Sequence, residues 1–138
     1  MSVPKSQRNE SKLTCIVKAE ELAVYTMQIV CNERNFPKRY RWCVTNEIVS
    51  ETRSILRKLV LANSVRVEDV SGHNTRKRLQ SEALAHCFAL LTEINLAYKI
   101  FHLASDRVEF WTGLVINIQR LIRTWQASDD KRFEAQTH

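Results

Sequence analysis

Apolar residues recur along most of this chain at steps of three and four, the spacing that gathers side chains on one face of an α-helix. Ile16, Ala19, Ala23, Met27 and Val30 form the first such stripe, widened by Leu22 and Ile29, and predict a helix from about Ser11 to Asn32. Glu33 to Pro37 then interrupts the pattern, because Pro37 biases Phe36 away from helical angles and is itself welcome in the first turn of a following helix. The second helix is expected from Lys38 to Asn63, with Val44, Ile48, Ile55, Leu59 and Ala62 on one face. Ser64 to His73 holds Gly72 and the alternating Val65, Val67 and Val70; it reads as an extended connection, since a lone short run has no partner strand.

The third helix, Asn74 to Leu103, places Leu84, Cys87, Leu91, Ile94, Tyr98 and Phe101 at steps of 3, 4, 3, 4 and 3. The fourth, Asp106 to about Ser128, repeats that signature with Val108, Trp111, Val115, Ile118, Ile122 and Trp125. Two seams of this length belong to a helix bundle. Asp106 and Glu109 have capping-box spacing, which would set the turn before them sharply and make helices three and four antiparallel neighbours. The prediction is an all-α, antiparallel up-down-up-down four-helix bundle over residues 11–128, with a disordered arm at 1–10 and a polar, disordered tail at 129–138. Helix four also carries Phe110, Leu114 and Leu121 beside its seam, and helix one has a second stripe at Val17, Val24 and Cys31. Two readings of this surplus stand: a broad core face, or a subunit interface.

Composition removes the competing folds. With average usage a chain of 138 residues would hold about sixteen Gly and Pro together; this one holds two of each, too few for the turns of a β-sandwich or a doubly wound α/β fold. Cys15, Cys31, Cys43 and Cys87 show no C-x-x-C spacing, and the opening MSVPKSQRNESK has no apolar signal core, so reduced thiols in a cytoplasmic protein are expected. Unbroken apolar runs are far shorter than the ~20 residues that cross a bilayer, and no membrane partner is expected.

Enzyme chemistry finds little footing. The Glu-x-x-His spacing of di-iron bundles does not occur, and Glu82 with His86, four apart, reads as a surface pair rather than a metal ligand set. Cys87 lies in the seam next to His86, and adjacent helical residues point about 100° apart, so the two cannot act as a nucleophile and its base. Two glycines 41 positions apart cannot build a phosphate-cradling loop. Neither a catalytic residue, nor a metal site, nor a cofactor is expected.

The basic residues are more informative. Lys and Arg number 21 against 15 Asp and Glu, a net charge of +6. Arg34, Lys38, Arg39 and Arg41 flank Phe36, Tyr40 and Trp42, and cations at the start of a helix oppose its macrodipole. Arg76, Lys77 and Arg78 would open helix three the same way. Ser50, Arg53, Ser54 and Arg57 make a stripe down helix two, with Lys58 alongside, where Arg53 and Arg57 repel unless something negative lies over them. The expected nucleic-acid-binding residues are therefore Lys38, Arg39, Arg41, Arg53, Arg57, Arg76, Lys77 and Arg78, against the alternative of a solvated surface. No base-reading motif is evident, so binding would track shape and charge. Tyr40 and Trp42 either stack on bases or pin the loop to the bundle.

The segment Glu20-Glu21-Leu22-Ala23-Val24-Tyr25, the turn Asn35-Phe36-Pro37-Lys38-Arg39-Tyr40-Arg41-Trp42, the exit Leu61-Ala62-Asn63, and the late Tyr98, Trp111-Thr112-Gly113-Leu114 and Trp125 together resemble the accessory variability determinant proteins of diversity-generating retroelements. These fall in a broad four-helix group that includes proteins encoded by intervening sequences of 23S rRNA genes. The likeness covers about Lys12 to Lys131. It implies a homopentameric barrel of basic protomers that associates with the retroelement's reverse transcriptase and its template RNA or complementary DNA, without being the polymerase. The matching basic turn gives Lys38, Arg39 and Arg41 a nucleic-acid-contact role; five copies would carry about +30 in total. Two other expectations remain beside it: a free-standing RNA-associated protein of the rRNA intervening-sequence type, and a protein-interaction scaffold that uses Phe110 and the Val17, Val24 and Cys31 stripe.

Overall fold

The computed structural model describes the backbone of residues 5–137 and the side chains of residues 14–135. Helix α1 spans Lys5–Val30, α2 Asn46–Ser64, α3 Val70–Phe101 and α4 Ser105–Thr137. Between α1 and α2 the chain makes a 3₁₀ turn, Lys38–Tyr40, followed by a π-helical turn, Arg41–Thr45. α1 packs on α2 and α4, and α3 packs on the same two, so the four antiparallel helices surround one core. The all-α bundle expected from the sequence is the fold observed.

The core is built from Leu22, Ile48, Ile55, Leu59, Leu90, Ile94, Trp111, Val115, Ile118, Ile122 and Trp125, all fully or almost fully buried. The fourth seam lies where its periodicity put it. The third is rotated from the expected one. Its buried line runs through Arg76, Gln80, Ala83, Cys87, Leu90, Ile94 and Ala97, while Leu84, Leu91, Tyr98 and Phe101 are only partly buried. Small residues at the centre let the helices approach closely, and the larger side chains pack at the flanks. In α1 the buried positions are Cys15, Ala19, Leu22, Thr26, Ile29 and Val30. Thr26 is tolerated in the core because its hydroxyl accepts a bond from Trp111 Nε1 at 3.0 Å, satisfying the one polar side-chain atom of one of the two buried tryptophans of α4.

Several boundaries differ from expectation. α1 begins at Lys5 instead of Ser11, so the arm predicted at 1–10 is helical from Lys5, and Met1 to Pro4 lie outside the described residues. The second helix is not continuous from Lys38, because the tight and wide turns take up residues 38–45 first. α3 begins four residues early: Asp69 caps it, accepting from Gly72 N–H at 2.8 Å. A side chain at Gly72 would collide with the Arg66 carbonyl, which explains the glycine there. α4 runs through the predicted tail to Thr137, held there by Asp129 and Asp130. It starts at Ser105, with Val108 N–H donating to Ala104 O at 3.1 Å, so Asp106 sits inside the first turn and not at the cap position a capping box requires. One window of α3 is long and apolar enough to cross a bilayer on hydropathy alone; in the fold one face of it covers α2 and α4.

The α3–α4 turn stores strain at one residue. His102 closes α3 with φ 53° and ψ 48°, its N–H donating to Tyr98 O at 3.0 Å. The left-handed region costs a side-chain-bearing residue about 1–2 kcal/mol, and glycine gives part of that back as unfolded-chain entropy. His102→Gly is therefore expected to stabilise the fold by about 0.5–1 kcal/mol. The check is a higher urea midpoint at unchanged m-value.

Candidate nucleic-acid interface

The eight basic residues divide into two groups by what surrounds them. Arg76 belongs to the core: it is 5% exposed, and Asp129, facing it from α4, is 4% exposed. Arg76 NH1 donates to Asp129 Oδ1 at 3.2 Å, Nε to the Ala62 carbonyl at 3.2 Å, and NH2 to the Val65 carbonyl. Its guanidinium also lies 5.9 Å from the centroid of the Trp125 ring. Gln80 Nε2 at 3.0 Å and Arg132 complete the ring of donors around Asp129. Arg76 thus satisfies carbonyls left open at the end of α2 while joining α3 to α4, a structural role in place of the expected RNA contact.

Two neighbours of Arg76 are matched as well. Lys77 pairs with Asp130 at 3.2 Å, which also meets His73 Nε2 at 3.1 Å, and the His73 ring stacks on Phe133 at 4.3 Å. Arg78 pairs with Glu82 at 2.9 Å. Glu82 takes Lys58 at 2.8 Å from α2 too; the Lys58 and Arg78 hydrogen bonds hold its carboxyl below the usual range. His86 is bonded to Glu51 at 2.6 Å, so Glu82 and His86 are not each other's partners. Because α3 starts at Val70, residues 76–78 lie beyond its first turn, where the macrodipole has faded, and the expected opposition to it does not arise.

The α1–α2 corner is different. Phe36 is 3% exposed and meets Phe101 edge-to-face at 5.1 Å and Trp111 at 6.2 Å, so the residue before Pro37 anchors the turn in the core. Tyr40 packs on Phe101 at 5.1 Å and pins the loop, with the Arg39 guanidinium 5.3 Å from its ring centroid. Trp42 is 84% exposed. Lys38 pairs with Glu33 at 3.2 Å across the surface. Arg39, Arg41, Arg53 and Arg57 are exposed and form no ion pair among the described residues. Arg53, Arg57 and Ser50 lie on the side of α2 away from the core, while Ser54 is partly buried. A pocket of about 270 Å³ opens at the corner between α1 and the wide turn, with Met27, Val30, Phe36 and Val49 as walls and Lys38, Arg41 and Glu33 also lining it.

The structure brings together Lys38, Arg39, Arg41 and Trp42 on one corner, with Arg53 and Arg57 on the helix that follows. It removes Arg76 and ties Lys77 and Arg78 to carboxylates. Sequence reasoning missed Asp129, Asp130 and Gln80. A signal existed: Arg76 and Gln80 extend the α3 seam backward by the same steps that carry the α4 seam from Trp125 to Asp129. Compared with models of known protein families, with curated proteins and with solved structures, the chain matches none.

Of the thiols, Cys31 and Cys43 are exposed and Cys15 and Cys87 buried, burial pushing each of the latter up to about 12. The folded chain then keeps protons that unfolded thiols lose near 9.0, so these two groups leave stability untouched below that pH and lower it progressively from 9 to 12. Native labelling with a thiol reagent should modify two cysteines, and all four should react only in denaturant. Asp129→Ala leaves the Arg76 charge buried without its anion and should cost about 3–5 kcal/mol. Arg78→Gln, by contrast, should move the melting temperature by no more than the scatter of a surface change, about 0.5 kcal/mol.

Proposed function

We propose that this protein is a noncatalytic, cytoplasmic accessory protein of a diversity-generating retroelement. In this reading it holds template RNA or its cDNA together with the reverse transcriptase, and assembles as a homo-oligomer, in the resembled family a pentamer. The observation that carries the reading is the arginine set Arg39, Arg41, Arg53 and Arg57, which has no carboxylate partner among the described residues; Arg39 and Arg41 flank the 84% exposed Trp42 in sequence, and Arg53 and Arg57 follow along α2. Four cations left in water, with an exposed indole at the corner where the row begins, fit a phosphate backbone with unstacked bases, since guanidinium groups neutralise phosphates and an indole face accepts a base of any sequence. The matched cations, Arg76, Lys77 and Arg78, are withdrawn from the interface, and Lys38 stays at its edge.

A second reading has its own observation. Val17, Val24 and Phe110 are about half exposed along α1 and α4, Phe110 meets Tyr25 edge-to-face at 5.0 Å, and a groove of about 370 Å³ runs along Val17, Val24 and Tyr25. That strip fits a protein interface, with another copy or the polymerase as its occupant. Both readings hold at once if the strip joins protomers and the arginines face outward.

Reversing Arg53 and Arg57 together to Glu should weaken binding to a single-stranded RNA at least tenfold near physiological salt. It should also flatten the dependence of log K on log salt by about 0.7 per lost phosphate contact. Lys77→Glu should change neither, and Trp42→Ala should weaken binding with the salt slope intact. Binding that ignores salt, or a double variant that binds like the wild type, overturns the nucleic-acid reading. For the second reading, Val24→Glu should lower the mass seen by light scattering after nuclease treatment; an unchanged mass removes that strip as a subunit contact.

A further inference from the structure

A second pocket, about 210 Å³, lies on the other flank of the Asn32 to Pro37 turn, where the end of α1 meets the start of α4. It is lined by Tyr25, Gln28, Ile29, Asn32, Asn35 and Arg107. Three side-chain amides, a phenol and a guanidinium thus converge on a space smaller than the ~300–1,000 Å³ of a drug-sized ligand. Asn35 Nδ2 is buried and meets no acceptor among the described residues. Asn32 Oδ1 already accepts from Arg34 N–H at 3.1 Å, which leaves that side chain its NH₂ to offer. Arg107 is exposed, forms no ion pair among the described residues, and lies near enough to Tyr25 to pull its phenol down against the larger upward effect of burial.

We infer that this pocket is a base-edge subsite, in which Asn35, Gln28 and Arg107 hold the hydrogen-bonding edge of one unstacked nucleobase of a single strand. The inference rests on the nucleic-acid reading above and departs from its expectation that binding tracks shape and charge alone. An orphan donor calls for an acceptor; Asn35 Nδ2 is shut off from solvent in the free chain, so a turn of the amide about its last side-chain bond is what presents it to a carbonyl oxygen or ring nitrogen of a base. A phosphate would fill only donors, whereas the amide of Gln28 brings an acceptor as well, which suits the mixed pattern of a base edge. The small volume admits one flat ring system and excludes a duplex, whose bases are stacked and paired. Asn35 immediately precedes Phe36 and Pro37, so the core anchoring of Phe36 also fixes the amide that reads the base.

The test titrates the protein with 12-nucleotide homopolymers of A, C and U in RNA and with inorganic polyphosphate. Wild type should prefer one homopolymer over the weakest by at least fivefold. Asn35→Ala and Arg107→Gln should each bring the three within twofold, while Asn35→Ala leaves polyphosphate binding and the salt slope unchanged. Arg107 is exposed and Asn35 Nδ2 makes no bond to lose, so both variants should fold, as thermal melting checks. Equal binding of all three homopolymers, with the Arg53 and Arg57 reversal still weakening each, overturns the subsite and spares the nucleic-acid reading; the pocket then holds ordered water alone. Preference that survives both substitutions places base reading elsewhere and overturns the subsite too. Absence of binding to every homopolymer and to polyphosphate ends both.

Discussion

The fold depends on one buried ion pair at the end of the bundle where α2 stops, α3 begins and α4 passes. Arg76 and Asp129 are removed from water together, and each is fully engaged: the guanidinium by two carbonyls and a carboxylate, the carboxylate by Arg76, Gln80 and Arg132. A charge so placed is tolerable only with its partners in position, which makes the pair a constraint on where three elements end. It holds the part of α4 beyond Trp125, about three turns, against the end of the bundle and carries His73 and Phe133 into contact. At the opposite end the equivalent task falls to aromatic rings. Phe36, Tyr40, Phe101 and Trp111 close the bundle without charge.

That difference between the ends sorts the cations. Where the chain closes itself with charge, its carboxylates are used up on its own basic residues. Where it closes with rings, nearby arginines find no internal anion and remain in solvent. The basic surface available to a partner therefore excludes the matched cluster of α3; it includes the α1–α2 corner and the outer side of α2, and also Arg107, Arg120 and Arg123 of α4, which are exposed and have no carboxylate partner among the described residues. Long-range attraction of a polyanion would still use the whole field, but short-range contact belongs to the arginines without partners.

How much of this could be read from residues alone follows from the physics of each feature. The helix count and order were legible because large apolar residues at Val115, Ile118 and Ile122 mark a face whatever lies opposite. The rotation of α3 was not, because Ala83 and Ala97 report close approach only once the facing helix is known, while Leu84 and Leu91 look like core anywhere. The polar tail read as disordered because a charged residue is normally solvated; Asp129 is buried solely because Arg76, 53 positions earlier, waits there. Of the candidate site, the basic corner and the Arg53 and Arg57 stripe were visible in local sequence. The pairings of Arg76 with Asp129 and Lys77 with Asp130, and the closing of the amide pocket by Arg107, were hidden because they join residues distant in the chain, whereas the Arg78 and Glu82 pair, four residues apart on one helix, was within local reach.

The wide turn at Arg41–Thr45 has a bearing on how such a chain could vary. A π-helical turn carries one residue of surplus over the α period; here it lies between the 3₁₀ turn and α2, and such turns gather at functional sites. Losing a single position there would let the coil rewind to the ordinary period and swing everything ahead of it by about 100° around the axis. Trp42 and Arg41 would then leave the directions they now hold, although no side chain had been exchanged. The aim of that corner is set by chain length as much as by chemistry, and because Phe36 and Tyr40 ahead of the turn are tied to Phe101 and Trp111, a one-codon deletion there would set the surface and the interior against each other.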